Sequence, residues 1–166
     1  MPTHAISIRA ARPEDAPLVH NFILAIADYE KLAHEVAATA EDVRAALAGE
    51  HPRVEVLLAD WDGRPAGFAL FFHNFSTFVG RRGLHLEDLF VKPEFRGHGI
   101  GKRLLLELVR LAHERKCGRM DWVALDWNQP AIEFYEQLGA RQMKEWTLFR
   151  LSEDRIKMLA LEQRCA

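Results

Sequence analysis

The sequence has few cysteines and no long apolar run. Its two cysteines, Cys117 and Cys165, cannot build a disulfide framework, and neither has a second cysteine or a histidine at zinc-ligand spacing. We therefore expect no bound metal and a cytoplasmic chain. No apolar stretch approaches the ~20 residues of a membrane span. Residues 1–12 also lack the charged start and apolar centre of a signal peptide, so neither secretion nor a membrane partner is expected.

The sequence also lacks a strong charge of either sign. Its 22 basic and 24 acidic side chains leave a net charge of −2, so no overall positive field is present to hold a nucleic-acid backbone or an anionic membrane. Nucleic acid is therefore not an expected partner. With 166 residues, 49% of them hydrophobic, the chain has the size and composition of one core-forming domain, which we expect to span residues 1–166.

Two hydrophobic periods alternate along the chain and predict a mixed α/β domain with helices flanking a central sheet. The predicted order is βααβββαβαβ, followed by a terminal helix from residue 152. The strands are predicted at residues 5–10, 54–59, 66–72, 84–91, 120–126 and 143–151. An Asp62-Gly63 pair predicts an antiparallel hairpin, whereas strands separated by helices near the end of the chain predict a parallel part of the sheet. Thr39 and Asp42 have capping-box spacing at the start of the second predicted helix, and Pro130 suits the first turn of the helix that follows the strand at residues 120–126.

A glycine-rich turn at residues 96–101 joins a predicted strand to a predicted helix. Such a turn exposes backbone N–H groups at the positive end of a helix dipole, where phosphate binds. Gly97, Gly99 and Gly101 have G-x-G-x-G spacing, so the turn is neither a Walker A loop nor a dinucleotide-binding fingerprint. The spacing alone leaves two alternatives open, a phosphate site and a tight turn without a ligand.

The turn reads Arg-Gly-His-Gly-Ile-Gly and resembles the pyrophosphate signature R/Q-x-x-G-x-G/A of the GCN5-related N-acetyltransferase (GNAT) superfamily. The predicted order of elements also resembles the GNAT fold over nearly the whole chain. The resemblance implies acetyl-CoA as co-substrate, and a fourth and fifth strand that splay apart to admit its pantetheine arm. The residues implied for cofactor binding are Leu89, Phe90, Val91, Arg96, Gly97, His98, Gly99, Ile100, Gly101, Lys102, Asn128 and Ala131.

Further segments are similar to the spermidine/spermine (diamine) acetyltransferase branch of that superfamily. They are residues 86–91, 126–130 and 134–140, together with Trp146. The resemblance implies that Tyr135 is the general acid for the departing CoA thiolate, and that Glu87 binds the amine and helps to deprotonate it. The other substrate contacts that it implies are Tyr29, Glu30 and Trp146. It also implies a homodimer.

The residues themselves leave simpler interpretations open. Tyr135 stands beside apolar residues on a predicted helix, where a tyrosine is more often part of the core. Glu87 and Asp88 are neighbours on a predicted strand, and the alternation of side chains along a strand predicts that they point to opposite faces. On that basis they cannot both enter one pocket. Glu87 is preferred only because of its position in the family pattern.

The segment between the third and fourth strands bears on the substrate. Polyamine acetyltransferases carry an acidic residue and a tryptophan there, but this chain has Ser76, Thr77 and Phe78. Residues 28–32 and 125–129 look more like the thialysine-acetylating members of the branch. The leading hypothesis is therefore acetylation of thialysine or a related amino acid or short diamine. The alternatives are a diamine or polyamine substrate, a lysine in a protein, or a catalytically silent CoA-binding domain.

Overall fold

The computed structural model describes residues 4–162, so that Cys165 and the last four positions of the predicted terminal helix lie outside the described residues. Contacts within the chain divide it into two units, residues 4–123 and residues 124–162. Within residues 4–162 no helix is both long and apolar enough to cross a membrane.

The first unit is built on a mixed sheet, as the sequence predicts. Within the described residues its strands are β1 (Ile6–Ala10), β2 (Glu55–Trp61), β3 (Arg64–Ser76), β4 (Arg81–Val91) and β5 (Met120–Trp122), in that spatial order. The first four strands are antiparallel, and β5 runs parallel to β4. The predicted hairpin is confirmed: Asp62 and Gly63 have φ values of 49° and 75°, the two positive values that a type I′ turn requires.

Three helices of this unit cover the sheet. They are α1 (Ala16–Tyr29), α2 (Ala40–Leu47) and α3 (Ile100–Glu114). The predicted capping box at the start of α2 is present, because the Thr39 hydroxyl accepts a hydrogen bond from the Asp42 backbone N–H while the Asp42 carboxylate accepts one from the Thr39 N–H. Lys31, with φ of 62°, is in the left-handed region immediately after α1 has ended.

The core lies on both faces of the sheet. Val19 and Phe22 of α1 pack with Val56, Phe68 and Phe90 of the strands in one buried cluster. The buried residues of α3 are outside that cluster, and α3 contacts β2, β3 and β4. Since residues alternate between the faces of a strand, α1 and α2 cover one face and α3 covers the other. Strand β4 therefore has helices packed against both of its faces, and the segment that follows it leads through the glycine-rich turn into α3.

The second unit contains α4 (Gln129–Gln137) and α5 (Glu153–Glu162). Pro130 lies in the first turn of α4, as predicted, and Gly139 follows the helix with φ of 90°. The predicted strand at residues 143–151 is wrong, and the predicted strand at residues 120–126 is shortened to β5. The physical reason is the lack of a neighbouring strand, because among the described residues none pairs with residues 143–151. Side chains that favour strands do not form one without backbone hydrogen bonds to a second strand.

Candidate active site

The glycine-rich turn leaves a row of backbone donors free at the start of α3. Gly97 and Gly99 have φ values of 79° and 80°, which favour glycine, and Gly99 is the N-cap of the helix. Among the described residues, the backbone N–H groups of residues 97–102 have no acceptor. The next N–H along the chain, that of Arg103, donates to the Gly99 carbonyl at 3.0 Å. These donors sit at the positive end of the α3 dipole, an arrangement that fits a pyrophosphate group.

Aromatic contacts hold this turn in place. The buried Phe95 ring lies under the Arg64 guanidinium, 4.9 Å from its centroid. The His98 and Trp61 rings meet at an angle of 60° with centroids 4.5 Å apart, and the His98 Nδ1 donates to the Arg96 carbonyl at 2.8 Å. The turn is thus attached to the β2–β3 hairpin at two points before any ligand binds, which reduces the entropy lost on binding.

The edge of β4 beside this turn is open. Strand β5 pairs only with Leu84, His85 and Leu86, so from Glu87 to Val91 no described strand adjoins that edge. The other edge of β4 is tightly covered, because a methyl group added to Gly67 would lie 2.6 Å from the Phe90 carbonyl oxygen. The unpaired edge is the feature that the family resemblance implies for the pantetheine arm, and it includes Leu89, Phe90 and Val91.

The Arg96 side chain contacts α1. Its Nε donates to the Val91 carbonyl at 3.0 Å, and its guanidinium lies over the Tyr29 ring, 4.6 Å from the centroid. The Phe90 ring is 5.6 Å from the same guanidinium and 6.4 Å from the Tyr29 ring. The Arg96 backbone N–H is engaged as well, by the Pro93 carbonyl at 3.2 Å.

A β-bulge brings Glu87 and Asp88 to the same side of the sheet. Leu70 of β3 pairs with Asp88, but the next residue, Phe71, pairs with Leu86, which leaves Glu87 as the extra residue. Asp88 shares the α1 face with its partner Leu70, a member of the cluster under α1. The prediction that Glu87 and Asp88 point to opposite faces is therefore wrong, because the bulge interrupts the alternation on which it relied.

Three carboxylates interact at this position. Burial, followed by the charges of Glu87 and Glu30, raises the pKa of Asp88 to about 6. Burial also raises the pKa of Glu30, the residue that caps α1. Glu87 is more open, with 55% of its side chain exposed, and its Oε2 lies 3.5 Å from Nε2 of His85. The clustered negative charge suits a cation, and a carboxyl group with a pKa near 6 can exchange a proton near neutral pH.

The structure thus brings together Tyr29, Glu30 and Glu87 from the predicted substrate site. It adds Asp88, which the alternation rule had placed on the other face, and His85, which sequence reasoning missed. A strand pattern gives no signal of a bulge, so the sequence offered no local way to find either contact. Among the described residues no group of three or more histidine, cysteine or acidic side chains is placed to hold a metal ion.

The remaining predicted residues lie in the second unit. Asn128 is the N-cap of α4, and its carbonyl accepts hydrogen bonds from the backbone N–H groups of Ala131 and Ile132, both at 3.1 Å. Tyr135 is half-buried in the same helix. Trp146 follows α4 in an irregular segment and is 69% exposed. Ala131 and Tyr135 thus lie in α4, which Asn128 caps, while Trp146 lies outside it.

A family model described as the Acetyltransferase (GNAT) family matches residues 23–140, more than half of the chain. The chain belongs to this GNAT family. The matched segment includes the acidic cluster, the glycine-rich turn and α4, so it extends across the boundary between the two units. This GNAT protein is an acetyl-CoA-dependent N-acetyltransferase, and the predictions of its family, α/β fold class and enzyme class are confirmed.

Curated relatives cover almost the whole GNAT chain. Thialysine N-epsilon-acetyltransferase from Sus scrofa is 34% identical over 94% of this chain and 98% of its own length. L-ornithine N5-acetyltransferase NATA1 from Arabidopsis thaliana is 30% identical over 92% of this chain and 86% of its own length. Among solved structures, an integron cassette protein from the mobile metagenome of V. cholerae is 29% identical with a TM-score of 0.76, covering 93% of this chain and 97% of that one. These similarities support N-acetylation of an amine.

Proposed function

We propose that the protein transfers the acetyl group of acetyl-CoA to the side-chain amine of a small amino acid, with thialysine as the sharpest candidate. The observation that carries this proposal is the acidic cluster of Glu30, Glu87 and Asp88 beside the open edge of β4. A cluster of carboxylates attracts an ammonium group. The named activities of the two relatives support an amino acid with a side-chain amine as the acceptor.

Acetyl-CoA would bind along β4 and the glycine-rich turn. The free N–H groups of residues 97–102 would receive the pyrophosphate, with Lys102 adding positive charge. The pantetheine arm would follow the open edge at Leu89, Phe90 and Val91. Further contacts to CoA are proposed for Asn128 and Ala131, on the basis of the family resemblance.

The amine must lose a proton before it attacks the thioester. An alkyl ammonium has a pKa of about 10.4, so it arrives charged near neutral pH. Glu30 and Asp88 would hold the cation. Glu87, the most exposed of the three carboxylates, would accept a proton from the ammonium group and release it to water. The amine nitrogen then bonds to the thioester carbon. A backbone N–H of Phe90 or Val91 would stabilise the oxyanion of the tetrahedral intermediate.

Collapse of that intermediate breaks the carbon–sulfur bond and leaves a thiolate. Tyr135 would donate its phenolic proton to the sulfur, and solvent would then restore the phenol. Ordinary pKa values of about 10 for a phenol and about 8.5 for a thiol make this transfer cost roughly 2 kcal/mol before any local tuning. The amide nitrogen loses its second proton to the base or to water, which balances the reaction.

The residues at the tip of the β3–β4 hairpin favour a short substrate over a polyamine. Ser76 is buried and its hydroxyl accepts a hydrogen bond from the Val79 backbone N–H at 3.3 Å, so it stabilises the turn. Thr77 and Phe78 complete the tip, and Phe78 is 89% exposed. The tip therefore offers no carboxylate to a second ammonium group. A diamine or polyamine remains the second candidate substrate.

A steady-state comparison of thialysine, ornithine, lysine, putrescine, spermidine and a lysine-containing peptide tests the proposal. We expect the highest kcat/KM with thialysine or ornithine. Higher values with spermidine would favour the polyamine alternative, and a preference for the peptide would favour a protein substrate. No acetylation of any amine would indicate a silent CoA-binding domain.

A Tyr135→Phe variant tests the general acid. We expect kcat to fall at least ~100-fold, because general acid catalysis contributes at least that much, with little change in the Kd of acetyl-CoA. Phe134→Leu, at the neighbouring ring 5.2 Å away, is the matched control for a packing effect. Equal turnover by Tyr135→Phe and the wild type would remove Tyr135 from the mechanism.

We also propose a homodimer, on the family resemblance alone. Sedimentation velocity at several concentrations should show a species of twice the chain mass. A single species at the mass of one chain would contradict the proposal.

A further inference from the structure

We infer that Arg96 is a positioning residue for the amine site rather than a ligand of the CoA phosphates. This inference rests on the proposed function, since it assigns Tyr29 and Glu30 to the amine. The glycine-rich motif predicts a positive charge at residue 96, and the simplest interpretation directs that charge to the pyrophosphate. The contacts of the side chain indicate a different task.

Arg96 makes three contacts within the protein that leave its guanidinium beside α1. Its Nε donates to the Val91 carbonyl at 3.0 Å, and its backbone N–H donates to the Pro93 carbonyl at 3.2 Å. The flat face of its guanidinium covers the Tyr29 ring at 4.6 Å. An arginine suits this arrangement because its planar group can stack on a ring while an edge N–H forms a directed hydrogen bond, which a lysine ammonium cannot do.

The contacts of Arg96 with Val91 and Tyr29 connect β4, the glycine-rich turn and the end of α1. Val91 ends the strand whose open edge is proposed for pantetheine, and Arg96 begins the glycine-rich turn. Tyr29 is the last residue of α1, and Glu30 follows as its cap. A shift of the Tyr29 ring would therefore move Glu30 with respect to Asp88, whose pKa depends on the charge of Glu30. Arg96 thus fixes one carboxylate of the amine site with respect to the strand that carries the other two.

The positive charge needed at the phosphates has another source. The N–H groups of residues 97–102 are free of acceptors in the described chain, and Lys102 lies in the first turn of α3. In contrast with these groups, the Arg96 guanidinium is directed to the α1 side of the turn, over Tyr29 and Phe90. The two tasks are therefore divided between neighbouring residues of one motif.

Two replacements of Arg96 distinguish the alternatives. Arg96→Lys keeps the charge but loses the guanidinium, and Arg96→Gln loses both the charge and the guanidinium. If Arg96 positions Tyr29, both variants should raise the KM of the amine by roughly fivefold or more, since a cation–π contact and a hydrogen bond are lost together. The Kd of acetyl-CoA should change by less than about twofold in both. Lys102→Gln is the matched control, with the opposite expectation: a weaker Kd for acetyl-CoA and an unchanged KM for the amine.

A phosphate role for Arg96 predicts a different pattern. Arg96→Lys would then resemble the wild type, whereas Arg96→Gln would weaken acetyl-CoA binding in a salt-dependent way. That result would overturn the inference. Tyr29→Leu should reproduce the kinetic defect of Arg96→Lys, and the double variant should be no worse than Tyr29→Leu alone. Additive defects would contradict the claim that Arg96 acts through Tyr29.

A double-mutant cycle in unfolding separates this inference from the proposed function. The Arg96 and Tyr29 replacements should be coupled by a factor of roughly two to five in the unfolding equilibrium constant, whichever amine is the substrate. If the wild type acetylates no amine but the coupling is present, the proposed function fails and the Arg96–Tyr29 contact stands. If the wild type is active and the coupling is absent, the inference about Arg96 fails alone.

Discussion

Replacing Asp88 with asparagine should make the protein more stable while weakening its activity. The pKa of Asp88 is raised from its ordinary value of 3.8 to about 6, first by burial and then by the charges of Glu87 and Glu30. The difference of about 2.2 units, at 1.36 kcal/mol per unit, gives an ionisation cost of up to about 3 kcal/mol in the folded state. Asparagine has a similar shape and no charge, so it removes this cost.

The effect should depend on pH with a definite sign. Between pH 3.8 and about 6 the folded protein retains a proton on Asp88 that the unfolded chain has released. The contribution of Asp88 to stability therefore falls as pH rises through this window, and the penalty is complete above pH ~7. The free energy of unfolding of Asp88→Asn minus that of the wild type should be smallest near pH 4 and should increase by up to about 3 kcal/mol by pH 7.5.

Urea unfolding at pH 4, 5, 6 and 7.5 measures this difference, and taking the difference at each pH cancels the other titrating groups. Asp126→Asn, which removes one negative charge from an exposed position, is the control for overall charge. The amine KM of Asp88→Asn should rise at the same time, since a binding carboxylate is lost. A difference in stability that stays flat between pH 4 and 7.5 would refute the electrostatic reasoning, and an unchanged KM would remove Asp88 from the amine site.

Two further predictions concern the stability of the fold. Gly67→Ala should destabilise the fold by about 1–3 kcal/mol and weaken acetyl-CoA binding, because its methyl group would lie 2.6 Å from the Phe90 backbone oxygen. Gly83→Ala is its control, because the new methyl group there meets the Asn74 side chain, which can rotate away. Urea unfolding and acetyl-CoA titration compare the two variants. Equal losses of stability and of acetyl-CoA affinity would contradict a clash with the backbone as the cause. Thr39→Ala should cost about 1 kcal/mol by removing the cap of α2. Thr39→Ser should restore that loss in thermal unfolding, and no difference between alanine and serine would show that the cap contributes nothing.

The parts of the fold that the sequence predicted correctly depend on local interactions. The Asp62-Gly63 turn needs only two residues that tolerate positive φ, and the Thr39–Asp42 box closes within one helical turn. The glycine-rich turn is also local, since its free N–H groups follow from φ at Gly97 and Gly99. These features could be predicted without knowing what lies across the sheet.

The features that escaped prediction depend on partners distant in sequence. The bulge at Glu87 exists only in the pairing of β3 with β4, so alternation along one strand placed Asp88 on the wrong face. Residues 143–151 have strand-forming side chains but no partner within the described chain. The motif likewise directs the positive charge of Arg96 to the phosphates, but contact with the end of α1 decides where its guanidinium lies.

The central claim is transfer of an acetyl group to a side-chain amine at the Glu30–Glu87–Asp88 cluster. Mass spectrometry of the product formed from thialysine and isotopically labelled acetyl-CoA tests it most directly. We predict one labelled acetyl group, located on the side-chain nitrogen, formed in a one-to-one ratio with free CoA. Labelling of the α-amine alone, or release of CoA without an acetylated amine, would contradict the account.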